Sequence, residues 1–442
     1  MPFSRDEHGA ALLGGARLDD LFEPPPRAGA PGSEAGPALP PLRTPAYIYD
    51  LDAIEGAARA LSVSFGGAPH FLAYAVKANS AGPILRTLQA VGCGAEVVSG
   101  AELSAALGAG FDPNRILYSG VAKLHGEIDL AIGAGPQGIL AIQMESVEEV
   151  PRVAARARAL GRRARVSIRV NPAIEADTHA AVTTGHDEAK FGVPVEDLGA
   201  AFDELARAPE LSLQGLSCHI GSQLTGTAEY LAAADVLLGA AAAREASHGP
   251  LAFIDFGGGF GIDYGAGCPS APTDFAAAVA ARVAASPLRG RMLVVEPGRC
   301  LVAAHGVLCA SVVMAKRARG SARRWLIIDA GMNDLLRPAL YGSLHRIEPM
   351  DAPAPQPGAG YRVVGPVCES SDDFGEHRFD EPLPRRVVIR DAGAYGYTMA
   401  SEYNGRPLPA EIFLRGGRVV AASAPRTPDA WVAERLGIPV TG

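Results

Sequence analysis

The chain has 442 residues, is 48% hydrophobic and carries a formal net charge of -8; it is long enough to bury more than one core and too acidic to make nucleic acid or an anionic membrane surface its main partner. The cysteines (Cys93, Cys218, Cys268, Cys300, Cys309 and Cys368) form no CxxC pair and no spacing that suits a metal or a disulfide framework, so no metal and a reducing cytoplasm are expected. The opening MPFSRDEHGA lacks the basic start and apolar stretch of a secretory signal, and the most apolar run, 300–315, is interrupted by His305 and short for a bilayer, which points to a soluble chain.

In chain order, residues 1–43 hold a dense set of prolines (Pro24, Pro25, Pro26, Pro31, Pro37, Pro40 and Pro41) and are expected to be irregular, with order beginning near Thr44. A lead-in strand and helix fill 44–69, and the strand, 46–49, is expected to join a later β domain. From 70 to 300 short β-branched or aromatic runs alternate with helical stretches rich in Ala, Leu and Glu. Strands are expected over 70–76, 95–99, 115–119, 138–144, 165–170, 213–220, 252–256 and 292–295. Helices are expected over 82–91, 102–107, 127–132, 147–160, 196–206, 228–246 and 274–285. That alternation fits a TIM-type (β/α)8 barrel better than an open doubly wound sheet, and in such barrels reactive groups sit where strands end. After residue 300 the helical pattern fades, and runs at 307–314, 325–329, 361–364, 386–390, 411–414 and 419–422 predict a mostly antiparallel β domain over 301–442.

Basic residues are nearly all arginine, and Lys77, Lys123, Lys190 and Lys316 are the only lysines. Only a lysine can serve as an amine nucleophile, although an Arg-biased genome leaves the same four. Lys77 closes the run FLAYAVKAN, so the first barrel strand delivers an amine to its C-terminal end, where partial desolvation favours imine formation with an aldehyde. A strand-end lysine that simply reaches solvent gives the same pattern. His219, in SCHIGSQ, ends the sixth strand, where a neutral imidazole can stack on a flat heteroaromatic ring while Ser222 and nearby amides hold a phosphate oxygen; a core histidine bonded to a carbonyl fits equally.

The run FIDFGGGFG ends the seventh strand with Gly257, Gly258, Gly259 and Gly261, which let backbone N–H groups approach an anion. A dinucleotide fingerprint would open the first βα turn instead of following six strands, so a phosphate group is the better occupant. VVEPGRC closes the eighth strand with Glu296, Gly298 and Arg299. A carboxylate there could keep a pyridine nitrogen protonated and the arginine could bind phosphate or carboxylate, though a Glu/Arg pair three residues apart also suits an ordinary ion pair. In the β domain, RPALY, PVCESSD and DAGAYGY gather polar groups beside turns, and each alone reads as a loop.

Taken together and in order, YAVKAN, GAEVVSGAEL, THAAVTTGHDEAKFGV, HIGSQ, DFGGGFGI, EPGR, RPALY, CES and GAYGY resemble the fold-type III decarboxylases that use pyridoxal 5'-phosphate (PLP), and within them the diaminopimelate decarboxylase family, from Thr44 to Leu414. The resemblance implies that Lys77 joins the cofactor aldehyde as a Schiff base and His219 stacks on its ring. It gives Ser222 with Gly258 and Gly259 to the phosphate and Glu296 to the pyridine nitrogen, with Gly298 and Arg299 beside the cofactor. Arg299, Arg337, Tyr341, Glu369 and Tyr395 are implied to contact substrate, Tyr395 also touching PLP. Cys368 is implied as the proton donor, supplied by the second subunit of a homodimer with active sites at its interface.

Arg337, Tyr341 and Arg299 would clamp a distal carboxylate and Glu369 a distal ammonium, a combination suited to meso-2,6-diaminopimelate, whose decarboxylation gives L-lysine and CO2. Related enzymes acting on ornithine, arginine or carboxynorspermidine share the barrel motifs; an alanine-racemase-like enzyme and a non-catalytic binding homologue are remoter readings. Where the family commonly has ESGD after the cysteine, this chain has ESSD, so Ser371 stands at a position often held by glycine, which could alter the turn carrying Glu369.

Overall fold

The computed structural model describes residues 3–22, 42–174, 190–317, 319–352, 358–423 and 426–437. The chain divides into two compact units, one of Ile54–Asp263 with Gly267–Leu301 and the other of Met1–Ala53, Tyr264–Ala266 and Val302–Gly442.

The first unit is a closed parallel barrel. Its eight strands are His70–Ala75, Gly94–Val97, Ile116–Tyr118, Ala141–Met144, Ala164–Asn171, Leu211–Ser217, Phe253–Asp255 and Met292–Val295. Each pairs in parallel with its successor, and the eighth returns to the first through Leu293↔His70 and Val294↔Phe71. Seven α-helices among the described residues alternate with them: Gly82–Ala90, Gly100–Gly108, His125–Gly133, Glu149–Ala159, Leu198–Ala206, Ala228–His248 and Pro272–Ala284. Strands covered by helices outside and packed inside read as continuous apolar runs, which is why composition alone marks them. All eight expected strands are present, with ends shifted by a few residues.

The barrel interior is graded along its axis. Phe71, Ala73, Leu117, Ala141, Phe253 and Val294 form one buried cluster. The two rings fit because Gly94 and Gly215 stand opposite them: a Cβ on Gly94 would lie 2.9 Å from Phe71, and one on Gly215 2.6 Å from Phe253. Alternate strand residues share a face, so the positions two residues further on continue the same interior surface. Those positions are Ser119, Gln143, Asp255 and Glu296, all buried. An apolar floor thus gives way to a polar layer at the strand ends.

The second unit is a mixed, mostly antiparallel sheet. Its main path runs Asp373–Phe379, Ala359–Val364, Arg324–Ile328, Gly306–Arg317, Ala46–Asp50, Ala410–Arg415, Arg418–Ala422, and Arg386–Ile389 pairs with both Gly306–Arg317 and Ile347–Pro349. Ala46–Asp50 is antiparallel to Gly306–Arg317 and parallel to Ala410–Arg415.

This unit differs from expectation in several elements, among them the short strand Ile347–Pro349 and the helices Arg337–Tyr341 and Pro428–Arg435, none of which was expected. Part of the stretch expected to be irregular is ordered: Phe3–Arg5, Ala11–Leu13 and Ala16–Arg17 form a small antiparallel sheet. Ala11 and Leu13 of this sheet, with Leu18 and Phe22 just beyond it, enter the core with Ile48, Val388, Ile412 and Leu414, and burial of those apolar side chains orders the segment. The proline-dense remainder, 23–41, lies outside the described residues. In addition, Asp373–Phe379 was missed because only Phe374 and Phe379, five residues apart, are buried in DFGEHRF, which leaves no two-residue alternation to read.

Candidate functional site

The polar layer of the barrel opens into a cavity of about 410 Å³ lined by Lys77, Glu96, Ser119, Gln143, Arg169, Ser217, His219 and Glu296 among others. Lys77 sits in a single 3-10 turn, Val76–Ala78, immediately after the first strand. Its Nζ lies 2.7 Å from Oε2 of Glu96, whose side chain is 1% exposed. The amine is therefore held from one side by a fixed carboxylate.

Gln143 organises the centre. Its Nε2 donates to Asp255 Oδ2 at 3.1 Å and to Glu296 Oε1 at 2.9 Å, and its Oε1 accepts from Ser217 Oγ at 2.5 Å. Burial, followed by the charges of Asp255 and Glu96, pushes Glu296 well above the usual carboxylate range. Burial raises Asp255 to about 6. Both carboxyls are pushed upward and meet at the same Gln143 amide, so this dry pair favours holding a proton over carrying two charges.

His219 is held well below its ordinary pKa by burial and by the cations Arg169 and Lys77. Its Nδ1 accepts the Gly258 N–H at 3.1 Å, which leaves the ring proton on Nε2 and the imidazole neutral. Arg169 donates to the His219 carbonyl at 3.1 Å and pairs with Glu145 at 3.2 Å, so it fixes the loop that carries the ring.

The glycines of the seventh strand end are required by neighbouring backbone. A Cβ on Gly258 would lie 2.0 Å from the Glu296 carbonyl oxygen, and one on Gly259, at φ +99°, would lie 2.3 Å from that of Gly221. Ser222 Oγ accepts from Arg299 Nη2 at 3.0 Å, and a Cβ on Gly298 would lie 3.0 Å from that of Ala78. The Ser119 hydroxyl is buried in the cavity wall without a hydrogen-bond partner. An amine for an aldehyde, a neutral flat ring, a carboxyl beside a polar donor and a hydroxyl awaiting a partner fit a polar heteroaromatic aldehyde.

Lys77, His219, Ser222, Gly258, Gly259, Glu296, Gly298 and Arg299 all belong to this barrel unit. Glu96, Gln143, Asp255, Arg169 and Ser119 were not singled out from sequence. Each is a lone polar residue in or just after an apolar strand run, which is the signal that could have found them: a buried polar group needs a partner. Of THAAVTTGHDEAKFGV, residues 178–189 lie outside the described residues.

Arg337, Tyr341, Cys368, Glu369 and Tyr395 belong to the β unit. Arg337 is buried in the short helix Arg337–Tyr341, with Nη1 2.8 Å from His345 Nε2 and its guanidinium 4.6 Å from the Tyr264 ring centroid. His345 Nδ1 bonds the Arg390 carbonyl at 2.9 Å, so Nδ1 carries the proton and Nε2 accepts from the arginine. Tyr395 has φ +55°, a left-handed conformation that costs a non-glycine residue strain. Cys368 and Glu369 are exposed in a loop closed on buried Asp372, whose carboxylate takes the N–H groups of Met332 and Val367 at 2.7 and 2.6 Å. Ser371 is absent from the residues with positive φ, so the turn needs no glycine there and ESSD leaves it intact.

A family model described as pyridoxal-dependent decarboxylase, pyridoxal binding domain, matches residues 51–303. A diaminopimelate decarboxylase of Zymomonas mobilis is 38% identical over 380 residues, 85% of this chain and 88% of that protein. One of Vibrio cholerae is 38% identical over 377 residues, with the same shares covered. Among solved structures, the diaminopimelate decarboxylase of Helicobacter pylori complexed with L-lysine matches with a TM-score of 0.82 at 36% identity, over 89% of this chain and 98% of that one.

Proposed function

The chain belongs to the diaminopimelate decarboxylases within the pyridoxal-dependent decarboxylase family, and we propose from that premise how its own residues carry the reaction. It is a carboxy-lyase that converts meso-2,6-diaminopimelate to L-lysine and CO2 with PLP as cofactor, the last step of lysine biosynthesis. The bound cofactor supplies an electron sink for the bond that loses CO2.

The observation that carries the assignment of roles is the Lys77 amine, 2.7 Å from Glu96, in a cavity bounded by His219 and Glu296. Lys77 is the residue that holds the cofactor covalently, and Glu96 keeps its amine aimed. Neutral His219 offers a face for stacking and adds no charge to repel a cationic ring. Glu296 would face the ring nitrogen of the bound cofactor and offer it a hydrogen-bond partner. Ser222, Gly258, Gly259, Gly298 and Arg299 supply donors for the phosphate, and Arg299 also serves substrate.

In the β unit, Arg337 and Tyr341 bind the distal carboxylate, Glu369 the distal ammonium, and Tyr395 both substrate and cofactor. Cys368 gives the proton that replaces CO2, and it does so from the second subunit of a homodimer. Among the described residues no helix is long and apolar enough to cross a membrane, and the cysteines are free thiols; both support work in the cytoplasm.

Borohydride reduction of the holoenzyme followed by peptide mapping is expected to place the adduct in FLAYAVKAN. A label elsewhere would overturn the role of Lys77. Turnover with meso-diaminopimelate, ornithine, arginine and carboxynorspermidine is expected to favour the first, with lysine as product; clear preference for another would overturn the substrate.

A further inference from the structure

Three side-chain bonds tie the loop carrying Cys368 and Glu369 to a second loop, 401–406. The Cys368 N–H donates to Asn404 Oδ1 at 2.9 Å, Tyr403 Oη donates to Glu369 Oε1 at 2.5 Å, and Arg406 Nη2 donates to the Pro366 carbonyl at 3.3 Å. Adjacent residues of one loop thus grip adjacent residues of the other. Asn404 is at φ +57° and Gly405 at φ +68°, so this turn can present its amide only because asparagine and glycine tolerate left-handed backbone. Behind it stands the C-terminal helix Pro428–Arg435, whose Trp431 ring comes within 3.2 Å of where a Gly405 Cβ would be. Arg426, just before that helix, bonds Glu402 at 2.8 Å and also pairs with Glu434.

We propose that Asn404 and Tyr403 are positioning residues that aim the Cys368 thiol and the Glu369 carboxylate, and that Trp431 of the C-terminal helix holds their turn in place. The proposal rests on Cys368 being the proton donor. Its physical basis is that the bond to the Cys368 N–H anchors the peptide unit from which Cα and its side chain project, and so narrows the region the thiol can reach. A proton donor displaced by about an ångström loses a large share of its rate. Within its own chain Cys368 is exposed, so no packing from that chain aims it and the hydrogen bond has that task.

The test uses the holoenzyme with Asn404→Gly, which keeps the left-handed backbone but removes the amide, and Asn404→Asp, which keeps an acceptor. Asn404→Gly is expected to lower kcat about fivefold to tenfold with KM within about twofold, unchanged cofactor absorbance and Tm, and a changed rate of Cys368 alkylation by iodoacetamide. Asn404→Asp should recover most of kcat. On a Cys368→Ala background, Asn404→Gly should cost nothing more. Tyr403→Phe should raise KM by about threefold instead, because it releases a substrate-binding carboxylate. If Cys368→Ala is slow while Asn404→Gly turns over and alkylates like the wild type, the positioning role is overturned and the donor role stands. If Cys368→Ala turns over normally, both are overturned. A Trp431→Ala enzyme with wild-type kcat would remove the C-terminal helix from the proposal.

Discussion

The barrel mouth and the Cys368 loop hold the groups proposed for catalysis in opposite ways. At the mouth the groups are buried and answer to one another: Lys77 to Glu96, Glu296 to Asp255 through Gln143, and His219 to Gly258. In the loop, Cys368 and Glu369 are exposed and held mainly by single bonds from Asn404 and Tyr403. Where a group is buried among like charges, the fold sets its protonation, and changing one member disturbs the rest. Where a group is exposed on a tether, the fold sets only its direction.

The sharpest way to break that contrast begins with Lys77→Ala. It removes the only lysine among the described residues that line the cavity and should lower turnover by on the order of 10^4-fold, with loss of the visible absorbance of the bound cofactor. A spectrum and rate like the wild type would sink the assignment. Glu296→Gln comes next. It removes the carboxyl kept protonated by burial and by Asp255 and Glu96, and kcat should fall by about 10^2-fold to 10^3-fold. A rate like the wild type would mean that this carboxyl takes no part in the reaction.

Cys368→Ala should cost about 10^2-fold in kcat, yet leave Tm within about a degree, since surface substitutions away from packed features change stability little. A Tm drop like that of a buried residue would erase the distinction between the two regions.

The smallest effect concerns His305, whose Nδ1 is buried without a hydrogen-bond partner. Burial lowers its pKa from 6.5 to about 4. Above pH 6.5 neither folded nor unfolded His305 is charged, and the group is neutral in its effect. Between 6.5 and about 4 the unfolded chain binds a proton that the folded one refuses, so stability falls with pH by up to about 3 kcal/mol at the bottom of the window. Urea unfolding of His305→Leu at pH 7 and pH 5 should show a shallower acid loss than the wild type. Equal losses would place the acid sensitivity elsewhere.

What was legible in the sequence follows the same division. Barrel strands and the residues at their ends could be read because apolar runs alternate with helices and the chemistry sits at the punctuation: Lys77 after FLAYAV, His219 after SC, Glu296 after VV. Glu96, Gln143 and Asp255 were passed over because a strand supplies them one at a time, and only the ring closure brings them together. In the β unit, RPALY and CES were visible as motifs, but the grip of Asn404 and Tyr403 was not. It joins loops more than thirty residues apart by side-chain-to-backbone and side-chain bonds that leave no periodicity. The strand over Phe3–Arg5 escaped notice because three residues show too little alternation to register, and so does its partner Ala11–Leu13.

The small sheet ahead of the proline-dense stretch bears on how the protein can be cut. Ala11 donates its N–H to the Met350 carbonyl at 2.8 Å, Arg5 reaches Glu348 at 2.6 Å and Asp19 receives Arg386 at 2.6 Å. An expression clone trimmed to Thr44, tidy on an alignment, would strip that lining and leave Ile48, Ile412 and Leu414 facing water. Such a product should precipitate instead of behaving as a minimal enzyme, and tags belong at the other terminus.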